Sequence, residues 1–464
     1  MALADSGDRR GFGRIRVGDL VSRLRLWLCD RSHGALAQRV AGTAFVIRLA
    51  SAALVYVSQI LFARWMGSAE FGVYVYVWTW VLLIGGVFEL GLAAGAQRFI
   101  PEYTGRREFD RLRGFLSGGR WLVATVATFG AVCAAGIVLV AGPWLDDRIE
   151  LPFYLACLCL PFYALTSMQE GIARSYNWFG IALAPPYLLR PLLLLAAMTA
   201  AYGLGLPTNA QTAMLAALAA LWASTMIQLA LLERGLHGAV PSGPKRTEVR
   251  RWLTISIPMF LVDGFYLMLT YTDVLVLKHF RPPGELAVYY AAGKTLSLVA
   301  FVSFAVSAAV AHRFTEYHVN GDRAELEAFL ARSVRWIFWP SLAAMAAILA
   351  LGPYLLRLFG PEFAAGYPVM FVLALGLMAR AAVGPVDRLL NMLDQQKVCA
   401  AIYAAAFGLN LALCLALIPA FGGLGAAAAV SAALAAESAM LFLASKRRLG
   451  LHVFVFRRPQ GAAR

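Results

Sequence analysis

The 464-residue chain is 60% hydrophobic and only 14% charged, too apolar to clothe soluble domains in a polar surface. Its formal net charge is +15, but the lysines and arginines gather in short segments between apolar runs, where they orient a membrane protein rather than bind nucleic acid. The cysteines (Cys29, Cys133, Cys157, Cys159, Cys399, Cys414) lie mostly inside apolar runs, with Cys157 and Cys159 on nearly opposite sides of a helix, so neither a disulfide framework nor a metal site follows.

Residues 1–40 carry Arg9, Arg10, Arg14, Arg16, Arg23, Arg25, Arg31 and Arg39, with Val17, Leu20, Val21, Leu24, Trp27 and Leu28 at helical spacing. That pattern predicts an interfacial helix on the cytoplasmic leaflet. It is not a cleavable signal, because the arginine-rich tail precedes a run of spanning length that itself holds Arg48. Apolar runs long enough to cross ~30 Å of hydrocarbon fall near 41–64, 72–95, 119–141, 151–172, 182–203, 211–232, 254–278, 287–311, 335–358, 365–390, 399–419 and 424–445. Pro185, Pro186 and Pro191 should break or kink the fifth.

Charge fixes the orientation. Segments 97–120, 233–252, 312–335 and 445–464 are basic, whereas the alternate loops hold only Arg64, Arg148, Lys278, Arg281 and Arg357. Both termini are therefore expected in the cytoplasm, which an even number of spans requires.

The chain also repeats itself. Arg64 to Tyr74, between spans one and two, matches Lys278 to Tyr289, between spans seven and eight, as a basic residue, a turn, a glutamate, two residues and Val-Tyr. Two parallel six-helix halves are implied, and such halves usually enclose a site between them. The expected organisation is a basic segment 1–40, a first half 41–232, a linker 233–253 containing Pro241-Ser242-Gly243-Pro244, a second half 254–445 and a basic tail 446–464. The expected fold is an all-α polytopic membrane protein of about twelve transmembrane helices around a central cavity.

Three stretches carry a resemblance. "ARWMGSAEFGVY" (63–74) followed by "LGLAAGAQRFIPEY" (90–103), "TDVLVLKHFRPPGELAVYYAAGKTLSLV" (272–299) and "IPAFGGLGAAAAV" (418–430) resemble the polysaccharide-biosynthesis and O-antigen flippase branch of the multidrug/oligosaccharidyl-lipid/polysaccharide exporter superfamily. Asp273 stands at that family's frequent acidic position, while Val430 stands where a threonine is more usual. The resemblance implies a transporter rather than an enzyme, in a bacterial inner membrane. Its cargo would be a saccharide on a polyprenyl diphosphate, its working partners membrane lipids, a proton or sodium ion, and the polymerase and glycosyltransferases of the same pathway.

An ionisable group within a span is expensive unless it faces a cavity or a partner. Arg48, Glu89, Arg190, Asp263, Asp273, Lys294, Arg380, Asp387, Arg388 and Glu437 are such groups. At 100° per residue, Arg48, Ser51 and Gln59 share one arc of span one. Asp263, Tyr266, Thr270 and Asp273 share one of span seven, Tyr290, Lys294 and Ser297 one of span eight, and Arg380, Gly384, Asp387 and Asn391 one of span ten. Arg190 is flanked by Tyr187 and the prolines of span five.

Any one of these groups is equally accounted for by interhelical hydrogen bonding or snorkelling, with Asp273 neutralising Lys294 and Asp387 neutralising Arg388. Four cations at depth, in both halves, have no such structural need. Arg48, Arg190, Lys294 and Arg380, with Gln59 and Asn391, are the expected contacts for a diphosphate headgroup. Asp273, with Asp263 and Asp387 behind it, is the expected ion-coupling group, since the chain has no nucleotide-binding motif and neither cofactor nor metal is implied. Two rivals remain. A drug or cation exporter of the same superfamily should show an acidic rather than basic cavity, and a membrane glycosyltransferase or polymerase should carry an external loop longer than the roughly ten residues available here.

Overall fold

In hydrocarbon every backbone N–H and C=O must find its partner within its own segment, and the apolar runs satisfy this as helices. The computed structural model describes residues 33–142, 146–300, 323–392, 395–451 and 453–456. The first half contains α1 (His33–Phe88), α2 (Leu92–Gly105), α3 (Phe109–Ala141), α4 (Asp147–Ser175), α5 (Phe179–Ala184), α6 (Arg190–Gly203) and α7 (Ala210–Ala239). The second contains α8 (Val249–Phe280), α9 (Pro283–Ser297), α10 (Arg323–Arg357), α11 (Tyr367–Val383), α12 (Val386–Met392) and α13 (Gln396–Ala444). Most of the basic N-terminal segment, the 301–322 stretch and the end of the basic tail lie outside the described residues.

Among the described residues, 8 helical stretches are long and apolar enough to cross a membrane, or 9 when the bent α8 is taken as one span. Two of them hold a pair of expected spans each. α1 turns back at Gly67 (φ 75°, ψ 168°) and α13 at Gly422 (φ 56°, ψ −131°). The expected span 287–311 begins as α9, and its continuation lies outside the described residues. The protein is thus an all-α polytopic membrane protein of two helical halves.

Three spans are interrupted. The prolines of the fifth produce a π-helical turn, Pro185–Leu189, between α5 and α6, as the missing N–H groups of proline lead one to expect. The second, expected to be continuous over 72–95, breaks at Glu89–Gly91, where Leu90 (φ 53°) and Gly91 (φ 70°) are both left-handed. A Cβ at Gly91 would stand 2.8 Å from that of Phe260 on α8, so close approach as well as backbone sign calls for glycine. The tenth, expected over 365–390, divides into α11 and α12 at Gly384 (φ 68°).

Each half packs around one central helix. In the first, α4 lies against α1, α2, α3 and α7; the buried hydroxyls of Thr166 and Thr225 meet at 2.7 Å between α4 and α7. In the second, α13 lies against α8 and α11. A Cβ at Gly376 would stand 2.6 Å from the Ser431 Cα, and the Ser431 hydroxyl donates to the Val372 carbonyl at 2.6 Å. Small residues let the backbones approach where lipid offers no hydrophobic drive for helix association.

The repeated turns do the same work twice. The Glu70 carboxylate accepts from the backbone N–H of Ala210 at 2.9 Å, the first residue of α7. The Glu285 carboxylate accepts from the N–H of Gly423 at 2.7 Å, where the second arm of α13 begins. Each glutamate therefore caps the last span of its own half, satisfying an orphan donor and meeting the positive end of the helix dipole.

The halves meet on the face of the repeated turns, and on the opposite face the start of α8 reaches the first half. On the face of the repeated turns, a Cβ at Gly72 would collide with the Pro283 carbonyl. There the buried Phe71 ring lies 6.2 Å from Tyr290 and 6.3 Å from Phe363, Tyr56 bonds Thr295 at 3.1 Å, and Arg64 donates to the Leu358 carbonyl and, at 3.2 Å, to that of Arg357. On the face of the 240–248 connection, the start of α8 is moored to the first half. Arg251 pairs with Glu102 at 2.8 Å, and the fully buried Trp252 indole donates to the Tyr103 hydroxyl at 3.3 Å. Beyond Leu261 the helix bends by 43° and joins the second half.

Candidate functional site

A cavity of about 570 Å³ opens within the second half, lined from α8 by Tyr266, Thr270, Tyr271 and Asp273, from α9 by Tyr290 and Lys294, and from α11 and α12 by Arg380 and Asp387. Four of the expected site residues thus share one cavity. Arg48, Arg190, Gln59 and Asp263 are not part of its lining.

Arg190 is nevertheless close by. Tyr271, on the cavity wall, lies in the electrostatic field of both Lys294 and Arg190, and Tyr74 in that of Arg190. Arg190 of the first half thus adjoins the cavity across the seam.

All four expected cations share one arrangement. The Arg48 guanidinium stands 3.9 Å from the centre of the Tyr187 ring and that of Arg190 5.7 Å from Trp78. The Lys294 ammonium is 5.0 Å from Tyr290, and the Arg380 guanidinium 5.5 Å from Tyr266. A ring face stabilises a cation without neutralising it, so the charges of Arg48, Arg190 and Lys294 stay available to a ligand.

The expected pairing of Asp273 with Lys294 does not form. Lys294 faces Tyr290, and the Asp273 carboxylate accepts from the Tyr289 hydroxyl, while its second oxygen, Oδ1, is buried without a hydrogen-bond partner among the described residues. Helical periodicity puts Asp273 and Lys294 at similar depth but does not tell which neighbouring hydroxyl reaches first. Gln59, like Asp273, is 8% exposed and keeps one buried oxygen, Oε1, without a hydrogen-bond partner. In the register that aligns Arg64 with Lys278, Gln59 and Asp273 occupy equivalent positions.

Asp263 lies exposed at the bend of α8, within electrostatic reach of Glu89. The Asn391 side chain, and that of Arg388 as the partner expected for Asp387, fall outside the described side chains. Arg380 has a carboxylate partner that sequence reasoning set aside: its Nη2 is 3.8 Å from Oε1 of the fully buried Glu437.

A second polar group was missed altogether. Glu170, near the end of α4, accepts from Arg174 and from the Tyr187 hydroxyl at 3.4 Å, directly beside Arg48. The i,i+4 spacing of Glu170 and Arg174 was the available signal.

A bundle of two repeated helical halves, with ionisable groups gathered on a cavity at membrane depth, defines a multi-pass membrane transporter. The polysaccharide biosynthesis protein family matches residues 41–318, and the chain belongs to it. A second family, MatE, matches residues 258–416, and both place the protein in the multidrug/oligosaccharidyl-lipid/polysaccharide exporter superfamily. Among solved structures, a lipid II flippase MurJ in an inward closed conformation is similar with a TM-score of 0.69 at 15% identity, over 87% of each chain. An inward-facing multidrug resistance MATE transporter gives 0.68 at 14% identity, covering 93% of this chain and 98% of its own. A transporter of the same superfamily from Pyrococcus furiosus, whose binding pocket is described as of reverse polarity, gives 0.60 at 12% identity, over 90% and 96%. No curated protein matches the chain by sequence.

Proposed function

We propose that the protein is a flippase that moves a saccharide linked to a polyprenyl diphosphate across a bacterial inner membrane by alternating access, with both termini in the cytoplasm. The observation that carries this reading is the set of four cations, each held against an aromatic ring rather than cancelled within its own helix. Arginine grips a phosphate through two parallel hydrogen bonds and lysine as a point charge. Neighbouring ring faces suit the apolar faces of sugars.

The cavity lining carries Asp273 and Asp387 against Lys294 and Arg380, with Glu437 behind Arg380. Arg190, acting on Tyr271 of the cavity wall, adds positive charge from the first half. With the face of the repeated turns closed, the cargo enters from the cytoplasmic leaflet and leaves after that seam opens. Its lipid tail stays in the bilayer while the headgroup crosses. Directionality then draws on an ion gradient, with Asp273 and its unpartnered oxygen as the ion-binding group, or on consumption of the product outside.

The test is flipping of a fluorescent lipid-linked oligosaccharide in proteoliposomes. Alanine at Arg48, Arg190, Lys294 or Arg380 should lower the rate at least about tenfold per lost charged contact, as removal of ~1.5–3 kcal/mol implies, with the protein retained in the membrane. Lysine should rescue the arginines poorly. Full flipping in all four variants, or transport of organic cations instead, would remove the diphosphate reading.

A further inference from the structure

The Arg380–Glu437 pair is unequal. Arg380 lines the cavity and its side chain is 33% exposed, whereas the Glu437 side chain is 0% exposed. Their 3.8 Å separation is too long for a hydrogen bond, and neither Glu437 oxygen has a hydrogen-bond partner among the described residues. One member can therefore turn towards a ligand while the other stays sealed between helices. The charged groups acting on Glu437 are Arg380 from α11 and Asp387 from α12. Tyr266 from α8 and Tyr403 from the first arm of α13 share the field of the same cluster, and Lys294 from α9 lines the same cavity. Asp387 is itself an acid, so within this cluster the neutralising cation for Glu437 is Arg380.

A guanidinium drawn to a phosphate leaves that carboxylate without its counter-charge in a water-poor place, where an ionised acid is strongly disfavoured and neutralisation is the escape. We propose that Glu437 is a proton-binding site worked through Arg380. When an anionic headgroup enters the cavity and takes Arg380, the Glu437 carboxylate binds one proton; when the cargo leaves and Arg380 returns, the proton is released. This rests on the reading that the cavity accepts an anionic cargo. It gives the cargo's charge a compensating proton, separate from the ion held at Asp273. The sign follows from linkage: a complex that binds one more proton than the free protein forms up to about tenfold more tightly for each unit fall in pH over the range where the proton is taken up.

The experiment is calorimetric binding of farnesyl-diphospho-N-acetylglucosamine to the purified full-length protein, in buffers of different ionisation enthalpy. This diphosphate diester has no proton of its own to exchange near neutral pH. The parent should take up close to one proton per ligand, Thr225→Val, between α4 and α7 and away from the cavity, should do the same, and Glu437→Gln should bind with the uptake lost. Binding by the parent without uptake, or uptake retained in Glu437→Gln, overturns the proposal and leaves the anionic-cargo reading standing. Failure of the parent to bind overturns that reading, and the proposal with it. Should Glu437→Gln not fold, binding by the parent without uptake still refutes the assignment.

Discussion

Gln59 and Asp273 occupy equivalent positions in the two repeats, at the same 8% exposure, and each has one buried oxygen without a hydrogen-bond partner. The repeat has kept the geometry and changed the charge. Other features of the repeat were kept whole: Glu70 and Glu285 each cap the last span of their half. A fold built twice thus preserves the caps that close each half and lets this pair of buried side chains diverge. The first half commits Glu170 to Arg174 and Tyr187, while the second leaves Asp273 and Glu437 with oxygens unclaimed. On the proposed reading, ion chemistry belongs to the second half.

The sharpest way to break this contrast is to make the two positions alike. Asp273→Asn should abolish the response of flipping to an imposed ion gradient in proteoliposomes, whereas Gln59→Asn should lower the rate without altering that response. An Asp273→Asn protein that still follows the gradient like the parent would make this carboxylate a partner of Tyr289 alone.

The shared features should answer equally in both halves. Glu70→Ala and Glu285→Ala each remove a charged cap from a backbone N–H and should cost about 1–2 kcal/mol, measured as matching losses of thermal stability. A loss confined to one half would mean that the repeated turns are equivalent in sequence only. The smallest effect belongs to a contact within a single half: Thr225→Val should cost about 0.6 kcal/mol, the usual worth of an interhelical hydroxyl bond in a membrane. A double-mutant cycle with Thr166→Val measures it.

The apolar runs, the turns near Gly67 and Gly422 and the disturbed fifth span were legible in the sequence, because each follows from composition and helical period; helical period also put Lys294, Arg380, Asp273 and Asp387 on polar arcs, but not on one cavity without Arg48, Arg190, Gln59 and Asp263. Which groups touch was not. Tyr289 takes Asp273 and Glu437 takes Arg380 through helix rotations that no single-helix pattern encodes. The break at Glu89–Gly91 was hidden because Leu90 is an ordinary helix former, held left-handed beside a glycine that the approach of α8 demands.

The two caps bear on biogenesis. Synthesis runs from the N-terminus, so Glu70 and Ala210 have both left the ribosome before residue 285 is made. The first half can fasten its final helix while the second is still untranslated. The connection that follows already meets the first half, through Pro241 and Pro244 on Arg113 and Glu248 on Arg111, and Arg251 and Trp252 then find Glu102 and Tyr103. The start of the second half can thus be tethered while its remaining helices are still to be made.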